Sequence, residues 1–307
     1  MESILVTIGH FAEGGKRILA QVGEVQEGVK DRKDLLARVR DVTILVVGLE
    51  QRIDREVIDA GTKLKVIATA TTGLDHIDIA YAESKGITVL SLKGETAFLQ
   101  SVTSTAELAL GLLLALIRRI PAAHLSVRDG TWDRSSFEGH SLKGKTLGIV
   151  GYGRLGKMMG RYGTALEMTV LFTDPAEEGS TPLAKLLETS DAISLHVPLN
   201  EDTEEMIGAK ELKMIKPGTV LINTSRGKIV DEREVLASLE NGQLAGYATD
   251  VLADELSFTN KNASSPLIDY AKTHDNIILT PHIGGMTVES REATDIFIAQ
   301  KIRKAVK

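Results

Sequence analysis

Along this chain, short apolar runs alternate with stretches whose apolar residues recur at helical spacing. Before residue 100, β-branched apolar runs at 4–8, 22–26, 43–48, 65–69 and 87–90 predict strands. The stretches between them, near 14–20, 31–40, 54–60 and 77–85, predict helices. A second alternation runs from 144 to 280, with strands expected at 146–150, 168–172, 191–195, 219–222, 245–249 and 276–280. Its helices are expected at 154–166, 182–189, 209–215, 231–241 and 265–273. Strand–helix alternation implies parallel strands covered by helices on both faces. The pattern therefore predicts an α/β protein with two doubly wound parallel-sheet domains.

Between the two series lies 103–120, whose middle is apolar on nearly every face. Glu107 near its start and Arg118–Arg119 near its end suit the dipole of a single helix. Such apolarity means burial all round. Such a helix can lie inside one core or cross between domains under cover of a second subunit, and the second is favoured because an interdomain connector otherwise exposes one face. A last helix is expected over 287–304. Returning to the first domain, it would make that domain discontinuous, 1–100 plus 284–307, with 101–283 as the second.

The first turn of the second series reads Gly151-Tyr152-Gly153-Arg154-Leu155-Gly156. Gly151 permits a tight strand-to-helix turn, Gly153 lets the backbone approach a pyrophosphate, and Gly156 lets helix pack on strand. The helix N-terminus adds free N–H groups and partial positive charge for the anion. Asp174 follows the next strand, 18 residues beyond Gly156, where an acid can bond the adenosine ribose hydroxyls. With strand, helix, second strand and acid in register, this is a dinucleotide site of the Rossmann kind. Asp174 has no neighbouring arginine to offset a 2′-phosphate, so NAD rather than NADP is expected.

Composition narrows the remaining classes. A chain of 307 residues is long enough for two cores. A net charge of −6 offers no footprint for nucleic acid or an anionic membrane. There are no cysteines, which excludes disulfides, thiolate metal sites and cysteine nucleophiles and fits the cytoplasm. No two of the seven histidines stand at a ligand spacing such as i, i+4, so no metal is expected. The N-terminus reads directly as a strand rather than a secretory leader. The longest apolar stretch, Leu108 to Ile117, is interrupted by Gly111 and is too short to span a bilayer.

Three later segments carry candidate chemistry, each just past a predicted strand. They are Asn223-Thr224-Ser225-Arg226-Gly227, Asp250 to Glu255, and Thr280-Pro281-His282-Ile283-Gly284-Gly285. Taken singly, Arg226 reads as a surface arginine capping its loop, Glu255 as a solvated acid and His282 as a turn residue. Jointly they leave one sheet edge with what hydride transfer to a 2-keto acid needs. His282 would give a proton to the carbonyl oxygen. Glu255 would orient the imidazole, and Arg226 would hold the carboxylate with its planar fork. His196, in Ser-Leu-His-Val-Pro, reads instead as a packed or backbone-bonded residue.

At these residues the chain resembles the D-isomer-specific 2-hydroxyacid dehydrogenase family. The resemblance is carried by Gly151–Gly156, Asn223 to Asp231, Asp250-Val251 with Glu255, Thr280 to Gly285, and upstream Thr72-Gly73-Leu74-Asp75-His76-Ile77-Asp78. It implies a flavodoxin-like substrate domain beside the Rossmann NAD-binding domain, an active site in the cleft, and a homodimer. It places Arg226, Glu255 and His282 on catalytic positions. Thr72 and Gly73 fall where backbone amides meet the substrate carboxylate. Gly151, Gly153, Arg154, Leu155, Gly156, Asp174, Val197, Thr224, Asp250 and Gly285 fall on cofactor positions.

Phosphoglycerate-oxidising members tend to carry arginines at positions aligned here with Gly48 and Thr69. Their absence points to a small unphosphorylated 2-keto or 2-hydroxy acid such as glyoxylate or hydroxypyruvate. A short phosphoglycerate dehydrogenase is the alternative, with Arg52 or Lys93 substituting, although the chain also ends without a regulatory extension. A rival of another class is an NAD(H)-sensing corepressor-like protein. The polar stretch Leu256–Ser265, longer than the family's usual loop, is expected either to edge the active site or to be a tolerated surface insertion.

Overall fold

The computed structural model describes residues 1–258 and 263–306. The chain divides into two compact units, Met1–Val102 with Met286–Lys307, and Thr103–Gly285.

The first unit runs β1 (Glu2–Val6), α1 (Glu13–Ala20), β2 (Gly23–Glu27), α2 (Arg32–Arg38), β3 (Ile44–Val47), α3 (Arg55–Ala60), β4 (Val66–Thr69), α4 (Ile79–Ser84), β5 (Thr88–Leu90) and α5 (Thr96–Leu99). Its parallel sheet has the order β2-β1-β3-β4-β5. Successive side chains of one strand serve opposite faces, as the period of two requires. Leu5, Leu45, Val47 and Ile67 join one buried cluster, whereas Ile4, Val6, Ile44, Val46 and Ala68 join another.

The second unit runs α6 (Ser104–Ile117), α7 (Ile120–Arg128), β6 (Thr146–Val150), α8 (Arg154–Ala165), β7 (Thr169–Thr173), α9 (Leu183–Thr189), β8 (Ala192–Leu195), α10 (Ala209–Met214), β9 (Thr219–Asn223), α11 (Glu232–Glu240), β10 (Leu244–Thr249), α12 (Pro266–Ala271) and β11 (Ile277–Leu279). Its sheet has the order β11-β10-β9-β8-β6-β7, again all parallel. The chain then returns as α13 (Val288–Ala305), whose Ile298, Ala299 and Ile302 fill the second cluster of the first unit.

One expectation is corrected. The helix expected over 103–120 ends at Ile117, because Arg119 takes a left-handed conformation at φ 52° and α7 begins at Ile120. Pro121 explains the restart, since its fixed φ suits the first turn of a new helix, whereas in a continuous one it would have no N–H for the Ile117 carbonyl and its ring would crowd that group. By length and composition alone, the 22 residues Thr96–Ile117, of mean hydropathy 1.5, could cross a bilayer, more than the ten-residue run counted from sequence. In the structure that stretch is the two helices α5 and α6, divided between the units, and Leu112, Leu113 and Leu116 of α6 pack into the core of the second sheet.

Candidate active site

The glycine turn has the geometry its spacing predicts. Gly151 sits at φ 87°, and a side chain there would collide with the His196 carbonyl and Val197. At Gly156 a Cβ would meet the Gly151 carbonyl, whereas at Gly153 nothing lies within 4 Å. Two glycines are thus required by the protein's own packing, and Gly153 leaves open space where a ligand's phosphates could approach. Gly153 precedes α8 and has no side chain to cap it, so the usual side-chain cap does not occupy this helix N-terminus. Burial lowers the Arg154 guanidinium from its ordinary range.

Asp174 follows β7, and its carboxylate is oriented by the backbone: Oδ2 accepts from Tyr152 N at 2.7 Å and Oδ1 from Ala176 N at 2.9 Å. Each oxygen retains a lone pair for a hydroxyl. Tyr152 is itself fixed by stacking on Phe172, with ring centroids 3.9 Å apart. Thr224 carries a buried hydroxyl with no protein partner, an orphan polar atom of the sort a bound cofactor satisfies. These residues fit a dinucleotide.

The three chemical segments converge because the strands that carry them are level. Asn223, Thr249 and Leu279, at the ends of β9, β10 and β11, are partners in one register. Arg226 lies three residues past the first, Glu255 six past the second and His282 three past the third. His282 Nδ1 stands 2.7 Å from Glu255 Oε1, and both side chains are about three-quarters covered. The Arg226 turn is pressed onto the loop leading to Glu255, since any Cβ at Gly227 would strike the Leu252–Ala253 backbone. Arg226 is half-buried, and its guanidinium also donates to the Ser225 carbonyl at 2.8 Å.

His282 has a positive φ of 54°, unusual for a residue other than glycine. Asp250 holds that conformation. Its Oδ1 accepts from Thr280 Oγ1 at 2.6 Å and from Ile283 N at 2.8 Å, and its Oδ2 from Gly284 N at 2.7 Å. His282 N in turn donates to the Asp250 carbonyl at 2.8 Å. Burial raises the Asp250 carboxyl from its ordinary range, and these donors oppose the rise. Asp250, placed on a cofactor position from sequence, therefore also clamps the turn that bears the imidazole.

Sequence reasoning missed several supporting groups. Buried Asn223 donates from Nδ2 to the Arg226 carbonyl at 2.9 Å and accepts from Ser225 N at 3.0 Å. Ser225 Oγ donates to the Leu195 carbonyl at 2.7 Å, and Glu232 Oε1 accepts from Ala253 N at 2.7 Å. An asparagine closing a strand before a turn was the available signal, because its amide can bond backbone two or three residues on. Thr72 and Gly73 lie on the turn after β4 of the first unit, and Val197 and Gly285 follow β8 and β11 in the second. His196 Nε2 lies 2.9 Å from Ser194 Oγ, and burial lowers this imidazole to about 4, in keeping with a packed histidine. Of the 256–265 stretch, Leu256 and Ser257 continue a short 3₁₀ turn from Glu255 and Ser265 caps α12, while 259–262 lie outside the described residues. Among the described residues no cluster suits a metal ion.

A family model for the NAD binding domain of D-isomer specific 2-hydroxyacid dehydrogenases matches residues 110–284. The chain is 38% identical over 284 residues to glyoxylate reductase of Thermococcus litoralis, covering 87% of this chain and 82% of that one. It belongs to the D-isomer-specific 2-hydroxyacid dehydrogenase family. It is also 35% identical over 318 residues to D-3-phosphoglycerate dehydrogenase of Methanocaldococcus jannaschii, covering 100% of this chain but only 58% of that enzyme. A solved D-lactate dehydrogenase of Aquifex aeolicus, complexed with NAD and lactic acid, has a TM-score of 0.86 at 27% identity, over 99% of this chain and 95% of that one. Membership makes this dehydrogenase an NAD-dependent oxidoreductase of 2-hydroxy acids, and its two parallel-sheet α/β units are the fold of that family.

Proposed function

We propose that this dehydrogenase reduces a small, unphosphorylated 2-keto acid such as glyoxylate or hydroxypyruvate, with His282 as proton donor, Glu255 as its orienting partner and Arg226 as the substrate anchor. The His282–Glu255 contact of 2.7 Å, on a turn held by Asp250, carries this reading. Glu255 Oε1 engages Nδ1, which leaves Nε2 to hold the proton passed to the substrate's carbonyl oxygen. Arg226 binds the carboxylate and draws charge toward the carbonyl; in the first unit the amides of Thr72 and Gly73 are the groups suited to a carboxylate. Gly151–Gly156, Asp174, Val197, Thr224, Asp250 and Gly285 would hold the cofactor, which in its reduced form, NADH, would supply the hydride to the carbonyl carbon and be released as NAD.

An unphosphorylated substrate is supported by the edge of the first sheet. At Gly48 a Cβ would run into the Glu50 carboxylate, so an acid occupies the ground where a basic side chain would start. At the other aligned position Thr69 is buried and bonded to Thr71. The likeness to the M. jannaschii enzyme keeps phosphohydroxypyruvate in the test panel.

We also infer a cytoplasmic homodimer. Supporting it, α7 buries none of its side chains, and Ile120, Leu125, Val127 and the following Trp132 are 53%, 42%, 49% and 87% exposed. Such an apolar stretch is costly to leave in water. Sedimentation as a monomer at micromolar concentration would exclude the dimer.

Oxidation of NADH with a panel of 2-keto acids tests the activity. Glyoxylate or hydroxypyruvate should be turned over, and His282→Ala should lower kcat by roughly 10²–10⁴-fold with NADH affinity retained. Arg226→Ala should reduce kcat/KM for the keto acid by roughly 10–100-fold, again sparing NADH. Equal loss of both would remove Arg226 from its role. NADH binding without turnover of any panel member would indicate a sensor instead.

A further inference from the structure

The turn that follows β4 contains a chain of hydroxyls. Thr69, the last residue of β4, is fully buried, and its Oγ1 lies 3.0 Å from Thr71 Oγ1. Thr71 Oγ1 donates to the Gly73 carbonyl at 2.8 Å. A hydroxyl has one proton. Thr71 spends its proton on Gly73, so the bond between the threonines runs from Thr69 to Thr71. The order Thr69 to Thr71 to the Gly73 carbonyl is therefore determined.

Other bonds hold the same turn from outside. Leu92 N donates to the Thr71 carbonyl at 3.0 Å, Ile77 N to the Leu74 carbonyl at 2.9 Å, and Ile53 N to the His76 carbonyl at 2.7 Å. Among the described residues the amides of Thr72, Gly73 and Leu74 donate to no protein group. Three consecutive amides left without acceptors form the kind of backbone concavity that receives an anion. Because a trans peptide points its N–H opposite its C=O, tying the Gly73 carbonyl to Thr71 turns the Leu74 amide the other way.

We propose that the Thr69–Thr71 hydroxyl pair is a positioning device that presets the 72–74 amides for the substrate carboxylate. It rests on the 2-keto acid reading above and deepens it: neither threonine touches substrate, and both act through the peptide planes. Thr71→Val keeps the shape and removes the donor, leaving the Gly73 carbonyl unbonded and the Thr69 hydroxyl without an acceptor.

The test compares Thr71→Val, Thr69→Val and Thr71→Ser with the parent protein. In Thr71→Val, KM for glyoxylate or hydroxypyruvate should rise about tenfold, the loss expected for one internal hydrogen bond and its orphaned partner. kcat and the KM for NADH should stay within about twofold. Thr69→Val should show the same split more weakly, and Thr71→Ser should restore parental KM. An unchanged keto-acid KM in Thr71→Val, or a parallel loss of kcat and NADH affinity, would overturn the proposal. A second readout does not depend on turnover: amide exchange at Leu92, bonded to the Thr71 carbonyl, should quicken about fivefold in Thr71→Val and recover in Thr71→Ser. Unchanged exchange there would also overturn the proposal. If no keto acid is turned over by the parent while exchange responds as stated, the substrate reading fails and the positioning role stands.

Discussion

The two sheets share one strand order over their first five strands, β2-β1-β3-β4-β5 in the first unit and the same arrangement from β6 to β10 in the second. They differ at the first strand-to-helix turn. In the second unit that turn is open at Gly153, and α8 begins without a side-chain cap. In the first unit the corresponding helix end is already filled. Ala12 N, at the start of α1, donates to Asp295 Oδ2 at 2.9 Å, and Asp295 is fully buried. Phe11 is buried beside it, and a Cβ at Gly15 would strike the Phe11 ring and the Asp295 carbonyl. One topology thus leaves its first strand-to-helix turn open in one unit and fills it with the protein's own carboxylate in the other. Topology supplies the location, and residues at the turn decide whether it is a site.

The largest effect that would break this comparison is expected from Asp295→Ala. It orphans the Ala12 amide and removes the 3.2 Å partner of Arg291, which is itself mostly covered. A loss of about 3 kcal/mol in urea unfolding is expected, with NADH affinity unchanged. A loss below about 1 kcal/mol would mean that the carboxylate is not the first unit's plug.

An effect of similar size but confined to acid concerns the second unit. His196 is lowered to about 4 by burial, against an ordinary value of 6.5. Below 6.5 the unfolded chain takes up a proton that the folded chain refuses, so stability falls as pH drops from about 6.5 toward about 4. The full loss is about 3 kcal/mol, and His196→Asn should flatten that acid limb. An unaltered acid limb in the variant would contradict the assignment. For buried Asp295 the sign is opposite, because burial raises its carboxyl above 3.8 and acidification relieves the penalty.

The smallest and sharpest test pairs two glycines. Gly153→Ala meets no protein atom, so thermal stability should hold while NADH affinity falls about tenfold through lost backbone approach. Gly15→Ala should do the reverse, costing about 1–2 kcal/mol of stability and sparing NADH. The same response from both variants would remove the distinction between the two turns.

Much of the fold was legible because its signals are local. In β3, Ile44–Val47 is apolar and buried at every position, which is how a parallel strand covered on both faces reads. The break at Arg119 does not show in the apolar pattern, because Arg118 and Arg119 read equally well as the basic last turn of one helix. α5 was too short, at four residues, to show a period. The exposed face of α7 was equally invisible, since burial is a property of packing rather than of residue type.

Glycine spacing, strand-end residues and the order of apolar runs belong to the chain itself, because each depends on neighbours a few positions away. The roles of His282 and Glu255 could be expected from their places past two strands, but their 2.7 Å contact, the Asp250 clamp and the return of Asp295 to Ala12 are different in kind. These arise only when parallel strands align their carboxyl ends and a distant helix closes the first sheet. Long-range register and burial set them, and no local pattern encodes either.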